Sequence, residues 1–331
     1  MFTKLVPPRH LRAAAAAALT LPLVLGACSG TEPDPLEGIP AFAVDTPKVT
    51  LLDAGSNPQQ LRYTDAVADT QAEEPWPITV EVSEGVTQAV APQNGEVDPE
   101  APAGGDVMAT TLPLSVTVSP AAEPGDGEEP AARSVLVEAG AGKHSDLAFG
   151  QEIAAAEGFL MRWRAAETGL ISTVQLLAPV ESPETGRQAV ESALLSIMSA
   201  TVVFPEDPVG IGGSWTVEGR VTGDTAMRRT TTYTVTGMSG TTVELDVRID
   251  DSPAQTTLRI DNQAAGDLDG RTLQVASSNT TSEGHVTVDL ARPLPVDGQV
   301  ASTTRLIYTG EGSEFGVVQD ITSAVTYGKG H

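Results

Sequence analysis

The chain predicts a mainly β fold with some helix (α+β). The expected architecture is a large twisted antiparallel sheet, curled or in two halves divided near Phe204, packed on one or two helices. Three observations carry this expectation. Apolar and polar residues alternate over many short stretches, as where Val243, Leu245, Val247 and Ile249 interleave with Thr242, Glu244, Asp246 and Arg248; this is the period of a half-buried strand. Short turn signals such as Gly237–Gly240, Asp267–Gly270 and Asp297-Gly298 separate such stretches, and no βαβ alternation intervenes, so neighbours run antiparallel. One segment, Glu184–Ala200, instead has helical period. Its Val190, Leu194, Ile197 and Met198 fall on one apolar face that can cover the sheet.

From the N-terminus, Lys4, Arg9 and Arg12 precede an apolar run, Ala13–Leu25, and then Gly26-Ala27-Cys28. This is the order of an export signal, and about thirteen apolar residues are too few for a permanent span, which needs roughly 20. Residues 1–27 are therefore read as a signal peptide. Ser29 to Pro47 is rich in Gly, Pro and acid, so residues 28–47 are read as a flexible acidic tether, reaching about 25 Å if fully flexible. Residues 48–204 form an N-terminal β-rich half. Strands are expected at 49–52, 61–63, 78–82, 114–118, 134–138, 159–164 and 170–177. Acidic loops are expected at 84–106 and 120–132, and a short helix at 149–157. The main helix follows at 184–200, with Ser182 and Pro183 suited to N-cap and N1. Residues 205–331 form a C-terminal antiparallel half with strands near 215–221, 230–236, 242–249, 255–260, 272–278, 285–290, 300–308 and 317–327.

Composition narrows the function. The formal net charge is -25, from 44 acidic and 19 basic residues. The leader holds three of the basic residues and no acidic one, so the mature chain is more acidic still. A nucleic-acid partner or binding to anionic headgroups would need a basic surface. Cys28 is the one cysteine of 331 residues, so no intramolecular disulfide can form. Aromatics are 4 % of the chain, which leaves the core to Val, Leu, Ile and Ala.

No segment carries a recognisable catalytic or cofactor motif. His144-Ser145-Asp146 sets three triad residue types side by side, but a triad is assembled in space from separate elements, so a polar turn is expected. Gly210-Ile211-Gly212-Gly213-Ser214 is neither a nucleophile elbow nor a phosphate loop. Asp267-Leu268-Asp269-Gly270, with Asp261 nearby, lacks the spacing and terminal Glu of an EF-hand. His144, His285 and His331 have no zinc-ligand spacing. The expectations are no catalytic residue, no metal and no cofactor.

The sequence Leu25-Gly26-Ala27-Cys28 resembles the lipobox of bacterial prolipoproteins. That resemblance implies cleavage before Cys28, a lipid on its sulfur, and attachment to the extracytoplasmic face of the cell membrane. Leu51-Leu52-Asp53-Ala54-Gly55 leading to Leu61-Arg62-Tyr63, and Phe204-Pro205-Glu206-Asp207-Pro208-Val209-Gly210-Ile211-Gly212-Gly213-Ser214-Trp215, resemble an uncharacterised family of actinobacterial envelope lipoproteins. More loosely, lipobox, acidic tether and long sheet over a helix are similar to the LolA-like mycobacterial lipid-carrying lipoproteins. These imply a non-enzymatic binding or scaffolding role on an envelope protein or a lipid. An alternative is a carrier holding a hydrophobic ligand between sheet and helix, with Val190, Leu194, Ile197 and Met198 as its cradle; a third is an envelope hydrolase.

Overall fold

A computed structural model describes residues 34–66, 75–92, 97–124, 129–221, 227–260, 270–311 and 313–328. The signal peptide, Leu25, Gly26, Ala27 and Cys28 lie outside them, as do Asp261, Asp267, Asp269 and His331. Residues up to Glu37 form one compact unit and the chain from Gly38 another. The described part of the first is a turn in which the Asp34 carboxylate accepts from Leu36 N at 3.0 Å and Asp34 O accepts from Glu37 N at 3.0 Å.

The second unit is dominated by one antiparallel sheet. Its strands are β1 (Phe42–Ala43), β2 (Lys48–Asp53), β4 (Trp76–Pro92), β5 (Met108–Pro120), β6 (Arg133–Ala139), β7 (Lys143–His144), β8 (Phe159–Ala165), β9 (Ile171–Leu177), β11 (Ser214–Val221), β12 (Met227–Ser239), β13 (Thr242–Pro253), β14 (Thr257–Arg259), β15 (Thr272–Asp289), β16 (Asp297–Thr309) and β17 (Phe315–Tyr327). Across the sheet the order is β1-β9-β8-β6-β5-β4-β17-β16-β15-β13-β12-β11-β2, with β7 on β5 and β14 on β15. A two-stranded ribbon joins β3 (Ser56–Gln59) to β10 (Val209–Ile211). The helices are α1 (Gly150–Ala154) and α2 (Glu184–Ser199). The division near Phe204 does not split the sheet, because β17 pairs with β4 from Phe315↔Pro92 to Tyr327↔Val80.

The sheet is curled by its own connectivity. Laid flat, the thirteen strands of its main path would spread over about 58 Å at the usual strand spacing. Its opposite edges, β1 and β2, are joined only by Val44–Pro47, a link that reaches at most about 18 Å. The edges must therefore approach each other across a seam. Among the described residues no strand pairing closes that seam, so the barrel stays open.

The curled sheet wraps α2. Val190, Ala193, Leu194 and Ile197 are buried in one cluster with Val80, Val82, Leu112, Val137, Met161, Trp163, Val235 and Leu245. The exposed side of α2 presents Ser192 and Ser196, whose hydroxyls donate to the Glu84 carboxylate at 3.3 and 2.6 Å. Pro183, not Ser182, precedes the first helical residue, and the Ser182 hydroxyl donates instead to Pro179 O at 2.7 Å. A second apolar cluster, Met227, Ile260, Leu273, Leu306, Tyr308 and Val317, lies beyond the first. On the inner face between them, hydroxyls pair across strands: Thr280 with Thr304 at 2.9 Å and Ser302 with Ser323 at 3.4 Å.

Three boundaries differ from expectation. The tether does not continue to residue 47. Phe42 and Ala43 pair with Val174 and Thr173, Val44 N donates to Ser172 O at 2.9 Å, and Gln175 Nε2 donates to Ile39 O at 2.7 Å. Two alternating apolar residues, an exposed Phe42 and a half-buried Val44, are enough to add an edge strand. The 84–106 loop also begins later, since Val86 and Val90 prolong the alternation of β4 to Pro92. Its described remainder lies on the sheet face turned away from α2, where Pro99 O, Ala101 O and Asp98 O accept from Asn279, Thr281 and Arg305 at 2.8, 2.7 and 3.1 Å. Leu61–Tyr63 is extended but pairs with no strand among the described residues. Tyr63 N and Thr64 N donate to Glu167 O and Leu290 O at 2.8 and 2.7 Å, so this segment crosses the strand ends.

Candidate functional site

The two sequence passages singled out above form one structural unit. Gly210 N donates to Ala54 O at 2.8 Å, β10 pairs with β3, and Asp53 sits opposite Ser214. Gly55 has φ +69, and a Cβ there would lie 2.4 Å from Gly213 N; only glycine combines that backbone with that approach. Arg62 reaches over to donate to Pro205 O and Glu206 O at 3.0 Å each and to the Glu206 carboxylate at 2.6 Å. Beneath, four rings pack in sequence: Tyr63–Phe204 at 5.5 Å and Phe204–Trp215 at 5.8 Å are tilted, and Trp215–Tyr233 at 5.2 Å is stacked. Trp215 Nε1 donates to Val203 O at 2.8 Å and the Tyr63 hydroxyl to Val202 O at 3.0 Å, so these two buried polar tips each have a carbonyl. The unit is structural, fixing the start of β11 and the edge strand β2.

Tyr63 also carries the Arg133 guanidinium over its ring, 4.0 Å from the centroid. Arg133 pairs with Asp65, the two side chains being 3 % and 2 % exposed. Burial raises the Asp65 carboxyl above its ordinary pKa, with the attraction of Arg133 working against that rise.

The residues that the carrier alternative needs as a cradle are core. Val190, Leu194 and Ile197 are at most 1 % exposed and fill the space between helix and sheet; Met198, at the end of α2, is the one that reaches an opening. His144, Ser145 and Asp146 serve their own turn. Ser145 Oγ accepts from Ala109 N at 2.9 Å, His144 Nδ1 accepts from Asp146 N at 3.1 Å, and Asp146 Oδ1 accepts from Ala148 N at 2.9 Å. No group of three His, Cys, Asp or Glu that could hold a metal occurs among the described residues. No helix among them is long and apolar enough to cross a membrane.

The opening at Met198 is a pocket of about 140 Å³ at the seam. β9 supplies Ile171, the α2 C-terminus supplies Met198 and Ser199, Thr201 follows just beyond it, and β11 and β12 supply Val217, Gly219, Arg220, Arg229, Thr231 and Tyr233. The link between the sheet edges, through Val44, Asp45 and Pro47, forms its rim. The register makes the pocket. Trp215, Val217 and Gly219 face inward opposite Tyr233, Thr231 and Arg229. Gly219 thus stands at an inward position with no side chain, and a Cβ built on it would meet only Pro47 Cβ, at 3.5 Å.

The pocket carries polar groups with spare donors. Arg229 gives Nε and Nη2 to the Asp251 carboxylate at 2.9 and 2.7 Å, and its Nη1 makes no hydrogen bond among the described residues. Tyr233 is 5 % exposed, and its hydroxyl likewise has no partner among them. Burial holds its phenol above the ordinary tyrosine pKa, Arg229 opposing, so the hydroxyl stays a neutral donor. Alternation along Trp215–Arg220 already marks Gly219 as the gap on an apolar face; the pairing of Arg229 with Asp251 needs the register between β12 and β13.

Residues 187–293 match the model of a family of unknown function (DUF6263). The matched span runs through α2 from Arg187, the ribbon strand β10 and strands β11 to β15, and so includes the larger part of the pocket lining. No curated protein matches the chain.

Proposed function

We propose that this is an exported protein anchored by lipid at Cys28, with a non-enzymatic binding role exercised at the seam pocket. The observation that supports it best is the open seam itself. At the junction of its two edges the curled sheet has a partly apolar concavity with spare donors, the usual form of a small-ligand site. The lipobox-like Leu25-Gly26-Ala27-Cys28 supports the anchor, since two or more acyl chains hold a protein stably where one does not. A carrier for whole acyl chains is supported less well: the pocket is about 140 Å³, below the roughly 300 Å³ at which ligand sites usually begin, and the cradle residues are packed.

Fractionation of cells expressing wild type and Cys28→Ser tests the anchor. Wild type is expected in the membrane fraction with a mass increase from acylation, and Cys28→Ser in soluble form with unchanged β-type circular dichroism. A Cys28→Ser protein that stays on the membrane removes the anchor from this reading.

A further inference from the structure

The seam pocket has features that select among small ligands, and the following deepens the binding role proposed above and rests on it. Its size sets the first limit. An engineered apolar cavity of about 150 Å³ accepts benzene, and this pocket, at about 140 Å³, has room for an apolar body of that order and no more. The floor of Ile171, Met198, Val203 and Val217 suits such a body.

The polar lining sets the second limit. The guanidinium of Arg229, inward-facing opposite Gly219, lines the pocket, with Asp45 at the rim. Asp251 holds Arg229 through two of its nitrogens, fixing the group and leaving Nη1 as a positioned donor; guanidinium is well suited to carboxylate in this geometry. The unpartnered Tyr233 hydroxyl adds a neutral donor. Two of the carbonyls at the nearby helix end, which an ammonium would need, are already engaged. Met198 O accepts from Thr201 N at 3.2 Å and from the Thr201 hydroxyl at 2.8 Å, and Leu195 O accepts from the Ser199 hydroxyl at 2.8 Å. Two donors without partners, Arg229 Nη1 and the Tyr233 hydroxyl, thus belong to residues lining one pocket, on a chain whose overall charge is strongly negative.

We infer that the seam pocket binds a small monocarboxylate whose apolar body is about the size of a benzene ring, the carboxylate taken by Arg229 Nη1 and the Tyr233 hydroxyl. The body lies over Gly219, where any side chain would displace it.

Benzoate is the probe, titrated by calorimetry into the full-length Cys28→Ser protein at pH 7, with benzyl alcohol and benzylamine as neutral and cationic counterparts of the same size. Benzoate is expected to bind one per chain, at least ten-fold more tightly than either counterpart. Tyr233→Phe, which removes one hydroxyl, is expected to weaken benzoate about ten-fold. Gly219→Val, whose added carbons enter the pocket without a backbone clash, is expected to abolish binding while leaving the circular dichroism spectrum unchanged. If benzyl alcohol or benzylamine binds as tightly as benzoate and Gly219→Val still blocks it, the carboxylate assignment falls and the binding role stands. If none of the three binds, or Gly219→Val leaves benzoate binding intact, the pocket is not the site and both fall.

Discussion

The middle of α2 and its C-terminal end meet the same curled sheet with opposite results. At Val190, Leu194 and Ile197 the facing strands offer Val, Leu, Met and Trp side chains, and the space is filled. One residue further, at Met198, the facing strand β11 offers Gly219 and the two sheet edges stand apart. An apolar helix face therefore does not decide whether a cavity exists; the side chain missing from the opposing strand does.

Three measurements sharpen that contrast. Leu194→Ala, at the filled end, is expected to show the largest effect, a loss of about 2–5 kcal/mol in chemical denaturation, because buried methyl groups leave and the surroundings only partly collapse. A loss under about 1 kcal/mol would mean that the interior is already loose enough for a ligand to enter beside the helix.

The buried Asp65 comes next. Its raised folded pKa means that, between the ordinary carboxylate range and that raised value, the folded state binds more protons than the unfolded one. The Asp65 contribution to stability is thus complete below the ordinary range and is lost as pH rises through the folded pKa. Measured against Asp65→Asn, wild type should gain relative stability as pH falls from 7 towards 4. The opposite trend would show that attraction to Arg133 outweighs burial.

The smallest effect is expected at the open end. Gly219→Val should change stability by less than about 1 kcal/mol, and in the stabilising direction, since glycine weakens a strand interior by roughly that amount. A large loss would mean that the pocket space belongs to packing and not to a ligand.

Much of this fold was legible in the chain because alternation survives wherever one sheet face is buried. Val243–Ile249 and Val317–Tyr327 are strands as read, and the apolar stripe of α2 is buried as expected. One error comes from polar residues doing structural work. Asn279–Gly284 separates two expected strands, yet 272–289 is one strand, β15. Its Thr280 and Ser282 hydroxyls accept from Asp251 N and Ile249 N at 3.0 and 2.9 Å, replacing backbone pairs where β13 and β15 diverge. The seam pocket was less legible. Gly219 stands out in its strand, but that Tyr233 and Arg229 face it follows only from the pairing of β11 with β12, and that Ile171 closes it only from the curl.

The pairing of β4 with β17 also governs the order in which this chain can fold. Val80 waits for Tyr327, and the edge strands β1 and β2 wait for β9 and β11. Every long-range closure costs loop entropy before it returns contacts, and topologies of this kind fold slowly. A chain that is threaded N-terminus first would carry unpaired, β-prone edges until its last strand emerges. Its strongly negative charge then has a use before folding as well as after, keeping half-finished sheets of neighbouring chains apart.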